Sequence, residues 1–109
     1  MDRMKITELG DVIAIRKLHL QGGSSSEVAV LIGRPQRFPD SDDYYCPYRI
    51  TGVGEQSIHY AGGVDAVQAL EEVIRVLPAE LAGLLRNHPD LRWEDAPVGD
   101  FGFRRQPIE

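Results

Sequence analysis

A single cysteine, Cys46, is all the thiol chemistry in a chain of 109 residues. One thiol closes no intrachain disulfide, so nothing in the sequence points to an oxidising compartment. Long apolar runs are missing too. The longest aliphatic stretch, residues 28–32, is far too short to span a bilayer, and residues 1–11 hold no apolar core of signal-peptide length. The expectation is a cytoplasmic protein. Excess positive charge is also absent. The formal net charge is −5, and the basic residues are scattered into short pairs such as Arg34 with Arg37 and Arg104 with Arg105. Nucleic acid and anionic membranes are therefore disfavoured, because both are bound by clustered Lys and Arg. A basic protein partner suits this charge better.

Metal signatures fail in the same way. His19, His59 and His88 share no ligand spacing. The acidic run Asp40, Asp42 and Asp43 lacks the glycine and distal glutamate of a calcium loop. No metal and no cofactor is expected. The 42% hydrophobic and 27% charged content is that of a globular chain long enough for one core. A single domain is expected over residues 1–109, with its core in 5–87 and an extended tail in 88–109.

Residues 6–20 read as one long or bent strand, with a bulge at Gly10–Asp11. Residues 21–26, Gly- and Ser-rich, form a connector. Residues 27–33 are apolar on both alternating faces, as in a central strand. Residues 34–43, with two prolines and three aspartates, form a surface loop. The segments 44–51 and 57–61 make a hairpin centred on Gly54. That register sets Ile50 opposite Ile58, Tyr48 opposite Tyr60 and Cys46 opposite Gly62 on one face. The other face carries Thr51 with Ser57, Arg49 with His59, and Pro47 with Ala61. Pro47 marks an edge or a bulge.

From Gly63 the period becomes helical. Val64, Val67, Leu70, Ile74, Leu77 and Leu81 form the apolar stripe, and Asp65 suits the first turn. Pro78 ends or kinks this helix and opens a short second one over residues 79–87. The fold class is thus α+β: four mostly antiparallel strands, a long helix on one sheet face, a short helix and a tail.

Cys46, placed beside Gly62 and the helix N-terminus, is the first candidate site, since helix N-termini lower thiol pKa values. Its base is missing, because His59 is expected on the opposite face; a small buried hydrophobe is the favoured reading. Tyr48 and Tyr60 could line a pocket with Cys46, their hydroxyls satisfied by Asp65 or Gln68. The glycine loop at 52–54 leads into a strand rather than a helix, and Asp65 would repel an anion at the helix start, so neither binds phosphate. Opposite the helix, Ala29, Leu31, Tyr45 and Ala61 form an apolar surface. It is covered either by the tail, through Leu91, Trp93, Phe101 and Phe103, or by a second copy in a symmetric homodimer.

The Gly33–Arg34–Pro35 turn, the run Tyr44 to Tyr48 leading to Ile50 and Gly52, and the segment Gly62 to Leu70 together resemble a family of small bacterial proteins classed only as a domain of unknown function. The resemblance covers roughly residues 30–75. It implies a bacterial source and transfers no catalytic residue. The leading expectation is a non-enzymatic domain that self-associates or binds a protein, with inhibitor or immunity-type roles included. The alternative is a small-molecule-binding or enzymatic domain with a pocket near Tyr48, Tyr60 and the helix N-terminus. Single-strand nucleic-acid binding rests on fold analogy alone, and the charge opposes it.

Overall fold

The computed structural model describes residues 6–21 and 27–104; residues 22–26 of the expected connector lie outside this range. The elements follow in the order β1 (Val12–Leu20), β2 (Glu27–Gly33), β3 (Gln36–Arg37), β4 (Tyr44–Thr51), β5 (His59–Gly63), α1 (Ala66–Leu84) and β6 (Leu91–Arg92). All pairings are antiparallel, and α1 packs on β4 and β5, so the class is α+β. Six strands stand among the described residues where four were expected, since β3 and β6 are two-residue strands with no periodicity to read.

β2 and β3 share one edge of β4. Ile32 faces Tyr48 and, beyond a break at residues 33–35, Gln36 faces Tyr45. β5 takes the other edge of β4. The spatial order is therefore β5, β4, β2 with β3, β1, β6. Pro47 lies in a central strand, opposite the break between β2 and β3, where no ladder partner requires the N–H that proline lacks. The irregularity in β1 falls between Val12 and Ala14, two residues beyond the expected Gly10–Asp11.

The helix begins with reciprocal capping. The Asp65 carboxylate accepts from the Gln68 N–H at 2.8 Å, while Gln68 Oε1 accepts from the Val64 N–H at 2.7 Å. One donor left over by the first turn, the Gln68 N–H, and the Val64 N–H just before the cap are satisfied in this way. α1 then runs straight through Pro78, and the expected second helix is its last turns. Leu77 and Leu81, both fully buried, hold the turn around Pro78 onto the sheet. Burying each contributes about 1.5–3 kcal/mol, enough together to offset the ~3 kcal/mol cost of an interior proline.

The buried stripe of α1 is Ala69, Val73, Leu77 and Leu81. Leu77 and Leu81 were expected there, but Val67 is 66% exposed and Val64 and Ile74 also face outward. The stripe is rotated because the helix start lies directly on the strand backbone. A Cβ at Gly63 would come 2.4 Å from the Ala69 nitrogen. Only a small side chain fits that approach, so Ala69 faces the sheet and the bulkier Val67 turns away.

One face of the sheet supplies Leu18, Val28, Val30, Ile32, Cys46, Tyr48 and Ile50 to the core. The tail completes it. Leu91 is fully buried and Phe101 nearly so, so these two side chains of the tail pack into the core. Arg16 fastens this cover. Its guanidinium lies 4.7 Å from the ring centroids of both Trp93 and Phe103, and Nη1 donates to the Phe101 carbonyl at 3.2 Å.

Candidate functional site

The register of β4 and β5 decides which side chains meet. The structure pairs Cys46 with Ala61, Pro47 with Tyr60 and Tyr48 with His59, one residue away from the expected register. The β5 residues beneath α1 are thus Ala61 and Gly63, not Tyr60. The close approach of the helix leaves no room for a tyrosine there, and the turn, which spans residues 52–58, is not centred on Gly54. Gln56 organises it by accepting from the Gly52 N–H through Oε1 and from Arg49 Nε through its carbonyl.

The expected pocket set of Cys46, Tyr48, Tyr60, Asp65 and Gln68 is consequently split. Tyr60 projects from the open face, where it packs with Phe38 and Tyr45 at centroid distances of 5.9 and 5.8 Å. Asp65 and Gln68 are used by the helix cap. Cys46 is buried in the core, its Sγ donating to the Gly33 carbonyl at 3.4 Å, and burial pushes its pKa up to about 11. His59 does share the helix-side face with Cys46, contrary to expectation. Its Nε2 is nevertheless turned to Glu55 at 3.3 Å and Ser57 at 3.5 Å, so no base activates the thiol.

Tyr48 finds a partner the sequence did not suggest. Its hydroxyl donates to Glu80 Oε1 at 2.7 Å, across from β4 to α1. Burial first, and the adjacent carboxylate second, push the phenol well above its ordinary value. The His59 ring lies 5.8 Å from that of Tyr48. Glu55, His59 and Glu80 border a cavity of about 170 Å³ whose floor is Ile50, Val53 and Leu84. Sequence reasoning missed both glutamates. One signal was available for Glu80: with the stripe through Leu77 and Leu81, it is a carboxylate next to the buried line.

The open face of the sheet carries the other expected set. Ile15 pairs with Leu31 and Leu31 with Arg49, while Lys17 pairs with Ala29 and Ala29 with Thr51. Ala29, Leu31 and Tyr45 lie on this face as expected and are half-buried; Ala61 does not, because the register turns it under the helix. Ile15, at 57% exposure, is the most exposed apolar residue of the face. The segment before β1 covers part of it near Gly33 and Pro47, where Leu9 closes in. As far as Arg104, the tail covers none of the Ile15–Leu31 region: Trp93 and Phe103 clasp Arg16 on the helix side.

Fold and site together define a small antiparallel α+β domain with one filled core and one open sheet face. Among the described residues, no group of three or more His, Cys, Asp or Glu is placed to hold a metal ion, and no helix is long and apolar enough to cross a membrane. The chain belongs to a family described as a domain of unknown function, DUF6968, whose model matches residues 14–105. No curated protein and no solved structure matches it.

Proposed function

We propose that the protein is a non-enzymatic interaction domain that self-associates through the open face of its sheet. One observation carries this reading. Ile15, Leu31 and Ala29 form an apolar row on the open face, while the tail as far as Arg104 packs on the other side. Contiguous apolar surface of this kind is commonly a contact site. The row is smaller than the ~800 Å² per partner of a standard stable interface, so the association is a weak one, seen at micromolar concentrations and above. Lys17 and Arg49 border the row through their pairing with Ala29 and Leu31. The net charge of −5 opposes a nucleic-acid partner, and the lone reduced cysteine supports a cytoplasmic setting.

Sedimentation velocity across micromolar to millimolar concentrations tests the proposal. The wild-type protein should show concentration-dependent association, and Ile15→Asp should remove it without loss of folded signal. A protein that stays monomeric over the whole range, or one whose association survives Ile15→Asp, would overturn it.

A further inference from the structure

We infer that the cavity between the carboxyl-terminal half of α1 and the β4–β5 loop binds an organic cation, an alkylammonium or alkylguanidinium head on a short apolar stem. Its volume of about 170 Å³ is that of about five or six waters, suited to an object the size of one long side chain and too small for a nucleotide. The floor is apolar, with Ile50 and Val53 buried and Leu84 half-buried. The rim carries Glu55, Glu80 and His59, and neither Lys nor Arg lines the cavity. Two carboxylates exclude an anion. A metal ion is also a poor fit, because hard cations need more oxygen ligands than this rim brings together. A charged head over an aliphatic stem matches both halves of the lining.

Glu80 is held for this role rather than merely present. Tyr48, itself 4% exposed, fixes Oε1 through its hydroxyl, which leaves Oε2 to accept from a ligand at the rim. Glu55 approaches from the opposite wall, tied to His59. Bonds from a cationic donor to such carboxylates are stronger than neutral ones. The overall charge of −5 draws cations toward the molecule at long range. The head group can belong to a free amine or to an arginine or lysine side chain of a protein partner. The chemistry is shared, and the inference stands independently of the open sheet face.

The test is a ¹H–¹⁵N NMR titration of the full chain, with agmatine in one arm and the capped tripeptide acetyl-Gly-Arg-Gly-amide in the other. Saturable shifts should concentrate at Ile50, Val53, His59 and Leu84, while n-butanol at equal concentration leaves them in place. Glu80→Gln keeps an oxygen for Tyr48, so the fold should persist while affinity falls roughly tenfold or more; Glu55→Gln should act in the same direction. Tighter binding of agmatine assigns the site to free amines, and tighter binding of the tripeptide assigns it to a partner's side chain. No saturable shift in either arm would overturn the inference. So would equal shifts around Asp40 to Asp43, or undiminished binding by a folded Glu80→Gln protein.

Discussion

The two faces of the sheet are built from the same strands, yet they end in opposite states. On the helix side, Val28, Val30 and Ile32 of β2 are sealed by α1 and by the returning tail. On the other side, Ala29 and Leu31 stay half-buried and Ile15 largely exposed. Successive residues of one strand thus differ in environment although they hardly differ in hydrophobicity. What separates them is the size of the neighbours. The covered face lets a helix descend onto Gly63 and Ala61, whereas the open face gathers the bulky Phe38, Tyr45 and Tyr60 at one end.

The largest effect that would sharpen this contrast lies in α1. Leu77→Ala should cost about 2–5 kcal/mol in denaturant unfolding, because it opens a cavity in the core, and Ile74→Ala should cost less than about 1 kcal/mol. Equal losses at the two positions would put the helix in the wrong rotation.

Next comes the pH dependence of the covered face. The Cys46 thiol titrates near 9.0 when unfolded and at about 11 when folded. As pH rises through this window the unfolded chain loses its proton first, so stability present below pH 9 declines until pH 11. One pKa unit is about 1.4 kcal/mol, which makes the loss roughly 2–3 kcal/mol. Cys46→Ala should cost ~1 kcal/mol at neutral pH and flatten that part of the curve. Tyr48 adds a decline of the same sign that begins at higher pH, since its folded pKa is also raised. Unfolding midpoints measured from pH 7 to 11 check both. Slow labelling of Cys46 by a thiol reagent at neutral pH should accompany them.

A smaller effect is expected where the tail joins the covered face. Gly102 sits at φ 86°, and a Cβ there would lie 2.7 Å from Trp93 Cζ3. Gly102→Ala should therefore destabilise by about 1–3 kcal/mol and expose Trp93, read by its fluorescence and its access to quencher. The smallest effect belongs to the open face. Ile15→Asp should change stability by no more than about 0.5 kcal/mol, since it touches no core residue. A loss as large as that of Leu77→Ala would show that this face is covered within one chain.

Much of the fold was legible in advance. Aliphatic runs without a helical stripe identified the long strands, the change of period after Gly63 identified the helix, and the placement of Leu77 and Leu81 in its stripe was correct. The candidate sites were less legible. The aromatic grouping of Tyr48 with Tyr60 followed from matching like with like across a hairpin, and the true register put them on opposite faces. Tyr48 was rightly expected to need a partner on the helix, but rotation of the stripe delivered Glu80 in place of Asp65 or Gln68. Glu55 and His59 meet only because the loop after β4 is seven residues long and folded around Gln56.

By itself the sequence determined the α+β class, the existence and order of the main elements, the start of the helix near Asp65 and the burial of Cys46. These depend on local periodicity and residue type, which a linear reading can sum. Tertiary structure alone decided the rotation of α1, the one-residue register of β5, the passage of the helix through Pro78 and the side on which the tail docks. Each depends on how closely two backbones approach, and that distance is set by side-chain volumes from segments far apart in the chain. Hydrophobicity tells which residues leave water; only packing tells which of them can face Gly63.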